Sequence, residues 1–182
     1  MKRWMKWMAA VALAMILAAG IVMPVQVQAA QKINAVYGEK KAQAVKKGKT
    51  YVVTSKKYLS RKGLTYLKFT APKDGKYKFT FSGLTVHGKK TQECITAGSA
   101  SLQRYEYGDS LSDIELDFGK GQKGYSIYLS SEYSASLDPS INPEDMFQYL
   151  PKRSVSLKLE KGAAIYIAFN FIDTCDINFS IK

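Results

Sequence analysis

The strongest constraint on this chain is the alternation of apolar and polar residues on both sides of Ala71-Pro72-Lys73-Asp74-Gly75. Before that segment, Leu67 and Phe69 alternate with Tyr66, Lys68 and Thr70; after it, Tyr77, Phe79 and Phe81 alternate with Lys76, Lys78 and Thr80. Successive side chains of an extended strand point to opposite faces, so a period of two gives each run one apolar face and one wet face. Proline starts a turn and Asp-Gly closes it. The segment therefore predicts a hairpin with one face on a core and a lysine face in water.

The same grammar recurs downstream. Ile114, Leu116 and Phe118 alternate with Asp113, Glu115 and Asp117, and the glycine-lysine turn Gly119 to Gly124 leads into Tyr125, Ile127 and Leu129. Val155, Leu157 and Leu159 alternate with Ser156, Lys158 and Glu160, and Lys161-Gly162 turns the chain into Ala164 through Phe169. That last run is apolar on both faces, which places it centrally in a sheet. Cys175, Ile177, Phe179 and Ile181 close the chain, and Ile33 to Tyr37 and Thr50 to Thr54 are shorter candidates. About nine strands without a long helix predict an all-β, antiparallel β-sandwich, with a closed barrel as the alternative that strand number does not separate. One short helix is expected, capped by Asn142, entered at Pro143 with Glu144 and Asp145 in its first turn, and ended by Pro151.

The amino terminus reads differently. Lys2, Arg3 and Lys6 precede an apolar run from Trp7 to Met23, Pro24 breaks it, and Val27-Gln28-Ala29 offers small side chains to a signal peptidase. Residues 1–29 are expected to be a secretory signal peptide and 30–182 a single domain, with no transmembrane segment after cleavage. An uncleaved anchor is the competing reading. Export permits a disulfide between Cys94 and Cys175, and buried thiols are the other possibility.

Charge is unevenly distributed. Residues 30–90 hold 16 Lys and Arg against 2 acids, whereas residues 91–182 hold 8 against 13. A basic half suits an anionic surface, and solvated strand faces explain the same lysines more plainly. Lys46, Lys47 and Lys49, followed by Lys56 and Lys57, have Tyr51 and Tyr58 among them and form the candidate contact, with Tyr105 and Tyr107 as exposed rings for a sugar or protein surface. Export argues against an intracellular nucleic-acid partner.

Catalytic chemistry finds little support. His87 is the single histidine, and neither it nor Cys94 sits in a nucleophile motif. One histidine and two distant cysteines do not make a zinc site. Asp109, Asp113, Glu115 and Asp117 read as a flat acidic strand face rather than a calcium loop, and Asp173 with Asp176 is a weaker version. No metal or cofactor is expected.

Two segments, TYLKFTAPKDGKYKFTFSG (Thr65 to Gly83) and SVSLKLEKGAAIYIAF (Ser154 to Phe169), resemble parts of bacterial pre-peptidase C-terminal domains and related jelly-roll modules. The middle of the chain lacks that family's acidic run. The resemblance implies a jelly-roll-like sandwich that binds or assists rather than catalyses, and it transfers no site residues. The expected function is a secreted, non-enzymatic module for an anionic cell-wall polymer, a glycan or a partner protein. A purely structural accessory domain is the alternative, and an exported hydrolase the second alternative.

Overall fold

The computed structural model describes residues 29–56, 63–86, 96–106, 110–119, 121–130, 152–171 and 174–182. Residues 1–28 of the leader expected over 1–29, and the helix expected from Asn142, lie outside the described residues. So do Lys57, Tyr58, His87, Cys94, Tyr107, Asp109 and Asp173.

Thirteen strands are described rather than about nine. They are β1 (Gln31–Asn34), β2 (Gln43–Val45), β3 (Thr50–Ser55), β4 (Thr65–Thr70), β5 (Gly75–Val86), β6 (Thr96–Tyr105) and β7 (Leu111–Asp113). The chain continues through β8 (Leu116–Gly119), β9 (Gln122–Gly124), β10 (Ile127–Ser130), β11 (Lys152–Leu159), β12 (Ala164–Phe171) and β13 (Cys175–Ile181). The surplus consists of pieces of three or four residues, too short to show a periodicity. One of them corrects the sequence reading: Asp113, Glu115 and Asp117 do not line a single strand, because the chain leaves β7 at Asp113 and resumes as β8 in a separate two-stranded ribbon with β9.

The strands form two sheets, ordered β1-β3-β13-β5-β11 and β10-β6-β12-β4-β2, with β7 also paired to β6. Eight of them nest first to last: β3 pairs with β13, β4 with β12, β5 with β11 and β6 with β10, all antiparallel. This is the pairing of a jelly roll, an antiparallel ribbon rolled so that its two halves face one another. The sheets are not wholly antiparallel, because β1 runs parallel to β3 and β2 parallel to β4 at the sheet edges.

The turn at Ala71 to Gly75 does not close a hairpin. Its two strands lie in opposite sheets, and so do the strands flanking Lys161-Gly162. A period of two shows which face a strand buries, not whether its neighbour in sequence pairs with it or faces it across the core. The two turns are sheet-crossing arches that stack. Ala71 N donates to Ala163 O (2.9 Å), Gly162 N donates to Ala71 O (2.8 Å), and the Asp74 carboxylate accepts from Lys161 N (2.6 Å).

The inner faces meet in an aromatic core. Phe81 and Phe179 are cross-strand partners in the first sheet, with ring centroids 5.1 Å apart. Phe169 of the second sheet meets both edge to face, at 5.9 and 6.2 Å. Phe69 extends the cluster to Tyr77 and Phe79. As its composition predicts, β12 is central and buried on both faces: Ile165, Ile167 and Phe169 point inward, while Tyr166 and Ala168 are covered on the outside. Gly98 lets β6 approach β12 closely, since a Cβ there would collide with the carbonyl oxygen of Asn170, and its φ of 149° disfavours other residues.

Truncating Phe179, which contacts partners from both sheets, is expected to cost about 3–5 kcal/mol. Chemical denaturation of Phe179→Ala against the parent measures it, and a change below about 1 kcal/mol would contradict this account of the core.

Candidate functional site

The rolled topology gathers lysines from distant parts of the sequence at one end of the sandwich. Three turns meet there: the β2–β3 turn and the two stacked arches. Lys46, Lys47 and Lys49 occupy the first, Lys73 the second and Lys161 the third. The turn of residues 46–49 is tied to the end of β13 by Gly48 N donating to Ile181 O (2.8 Å), and it is closed by Lys46 N donating to the Tyr51 hydroxyl (2.7 Å). The ammonium of Lys47 lies 5.4 Å from the centre of the Tyr77 ring, close enough for a cation–π contact.

Four further lysines project from the outer face of the first sheet at this end. Lys76 on β5 is the cross-strand partner of Lys158 on β11. Two residues along, Lys78 stands beside Ser156 on one side and exchanges two backbone hydrogen bonds with Lys182 on the other (2.9 and 3.0 Å). All four side chains are exposed. Like charges directly opposite one another destabilise a sheet. A shallow depression of about 420 Å³ adjoins the pair, lined by Lys76, Lys158, Asp74, Gly75, Leu159 and Glu160. The ion pairs among the described residues are Arg104–Glu106 and Lys123–Glu115, so the carboxylates of Asp74 and Glu160 do not bond these lysines.

The residues singled out in the sequence are distributed less simply. Lys46, Lys47 and Lys49 belong to the basic end. Lys56 follows the opposite end of β3, and seven residues of extended chain put it more than about 20 Å from Lys49. Tyr51 is no contact residue: it is 2 % exposed, packs on Phe179 and caps the turn of residues 46–49 with its hydroxyl. Its shared parity with Val53 was the signal for burial. Tyr105 is 42 % exposed on the outer face of the second sheet. Lys158 and Lys182 were missed because only the fold sets them beside Lys76 and Lys78.

The acidic residues are dispersed. Asp113 accepts from Gln103 (2.8 Å), Glu115 pairs with Lys123 (3.3 Å), and Asp117 accepts from Gly119 N (2.7 Å). No metal-binding cluster of histidine, cysteine and carboxylate side chains occurs among the described residues. Cys175 is buried on β13. Arg153 on β11 is buried with its guanidinium 4.7 Å from the centre of the Phe118 ring, which docks the β8–β9 ribbon; burial lowers its pKa to about 10, leaving it charged at neutral pH.

No protein-family model matches this sequence, and no curated protein matches it. Among solved structures, one similar chain is CorA, described as a surface-associated copper-binding protein important in copper acquisition by Methylomicrobium album BG8. The identity is 9 %, with 82 % of this chain and 99 % of that one covered, and a TM-score of 0.38. A second is a β-glucosidase from Paenibacillus barengoltzii, at 11 % identity and a TM-score of 0.31, with 86 % of this chain covering 14 % of the enzyme. At these scores neither protein's chemistry transfers to this chain. No helix among the described residues is long and apolar enough to cross a membrane.

Two tyrosines should report on the fold at alkaline pH. Burial raises the Tyr66 phenol above its usual value of 10.0, with the carboxylates of Glu39 and Asp113 adding to the effect, and burial alone raises Tyr37. A raised folded pKa means stability that is complete below the unfolded value near 10 and lost as pH climbs through the folded one. Stability should therefore fall above pH 10, and less steeply in Tyr37→Phe/Tyr66→Phe. Melting temperatures measured between pH 8 and 11 check this; identical slopes for the two proteins would refute it.

Proposed function

We propose that this chain is an exported, non-enzymatic module that docks through its lysine end onto an anionic polymer of a cell surface. The observation that carries the reading is the cross-strand pair Lys76–Lys158 with Lys78 and Lys182 alongside. Side chains that repel one another in the free protein gain most when an anion neutralises them together. The shape favours a polymer over a small anion. The lysines are spread over three turns and two strands, the depression that Lys76 and Lys158 line is shallow, and repeating negative charges can meet several at once. The leader read at residues 1–29 supports an extracellular setting.

Binding of the protein to purified teichoic acid across a salt series tests the reading. Affinity should fall steeply between low and physiological salt, because exposed charges are screened over a Debye length of about 8–10 Å. Lys76→Glu/Lys158→Glu should abolish most binding, while Lys56→Glu, at the far end, should leave it nearly intact. Salt-independent binding, or equal losses from both variants, would sink the proposal.

Stability should move the other way. Lys158→Glu alone replaces a repulsive cross-strand pair with an attractive one. It is therefore expected to raise the melting temperature slightly at low salt while weakening polymer binding. A variant that loses both stability and binding would show instead that Lys158 serves the fold.

A further inference from the structure

The outer face of the second sheet has a different character from the basic end. Tyr66 and Lys68 on β4, Tyr166 and Ala168 on β12, and Gln103 and Tyr105 on β6 share one face, because Tyr166 is the register partner of both Lys68 and Gln103. Tyr105 meets Tyr166 edge to face at 5.5 Å, and the Lys68 ammonium lies 5.3 Å from the centre of the Tyr166 ring. On the far side of β6, Asp113 of β7 is the register partner of Gln103.

Gln103 is the anomaly on this face. It is 8 % exposed, and its amide nitrogen donates to the Asp113 carboxylate at 2.8 Å. A carboxylate only accepts, so this bond fixes which end of the amide is nitrogen. The carbonyl oxygen at the other end is buried without a hydrogen-bond partner. Leaving such an acceptor unsatisfied is costly, and a buried orphan beside exposed polar and aromatic groups points to a missing donor.

We propose that this face binds a neutral, hydroxyl-rich glycan, with a sugar hydroxyl donating to the Gln103 carbonyl oxygen and the Tyr105 ring packing on the sugar. The chemistry fits that occupant. The carboxylate of Asp113 accepts a second hydroxyl and the Lys68 ammonium donates to a ring or hydroxyl oxygen. Tyrosine supplies an apolar face with a polar tip. Lys68 and Asp113 give this face one cation and one anion, which does not favour a polyanion. Because the Gln103 oxygen is buried, the hydroxyl reaches it only when a neighbouring side chain moves. This site lies on the opposite sheet from Lys76 and Lys158.

Titration of the protein with hexasaccharides of β-1,4-linked glucose and of β-1,4-linked N-acetylglucosamine, followed by backbone amide shifts in the NMR spectrum, tests it. The expected result is saturable binding of at least one sugar, with shifts centred on β6, β7 and β12. Affinity should change little with salt and not at all in Lys76→Glu/Lys158→Glu, which separates this site from the polymer contact. Tyr105→Ala and Gln103→Met should each weaken binding by about tenfold or more. If Gln103→Met does not fold, Tyr105→Ala decides alone, since an exposed ring can be removed without opening the core. No saturable binding of either sugar at millimolar concentration, shifts confined to the lysine end, or unchanged affinity in Tyr105→Ala would overturn the proposal.

Discussion

The hydrogen bonds between Ala71 and the Gly162–Ala163 turn hold two sheet-crossing arches against each other, and much of the architecture follows from that contact. Once β4 leaves one sheet and β5 enters the other, the return path through β11 and β12 can run alongside only if its own crossing stacks on the first. Asp74 reinforces the stack by accepting from Lys161 N. The result brings Phe81 and Phe179 over Phe169, and sets Lys76 opposite Lys158. Core and basic end thus share one origin, although one is built on apolar burial and the other on clustered lysines.

The sequence made the local geometry legible and left the global pairing open. Alternation at Leu67, Phe69, Tyr77, Phe79 and Phe81 named inward residues, since it reflects burial on one face of a strand whatever lies opposite. It did not distinguish a hairpin from an arch, because both place the same residues on the core. The doubly apolar run from Ala164 placed β12 centrally, as found. Tyr51 went astray because its lysine neighbours drew attention from the parity it shares with Val53. The broken acidic strand was illegible for another reason: nothing in Asp113-Ile114-Glu115-Leu116 marks the point where the chain leaves one sheet for a separate ribbon.

The candidate sites were less legible than the fold. Lysine density at 46–49 was visible, and so was each lysine alternating along β5 and β11. Their convergence needed the β5–β11 register and the return of β13. On the other sheet, Tyr105 could be picked out as an exposed ring, but Gln103 is an unremarkable residue in sequence. It acquires meaning only when β7 supplies Asp113 to one end of its amide and leaves the other end unmatched.

The two parallel strands at the sheet margins have a further consequence. A bare strand edge displays unpaired amides and carbonyls that can template another chain. Here the segment 31–45 lays β1 along β3 and β2 along β4, so a single short stretch near the beginning of the domain stoppers one margin of each sheet. At the other margin of the first sheet, β11 carries Lys152 and Lys158 and has the β8–β9 ribbon docked on it through Phe118 and Arg153. Strands of three and four residues therefore stand at those margins in place of the longer β3 and β4, leaving little edge for another chain to pair with.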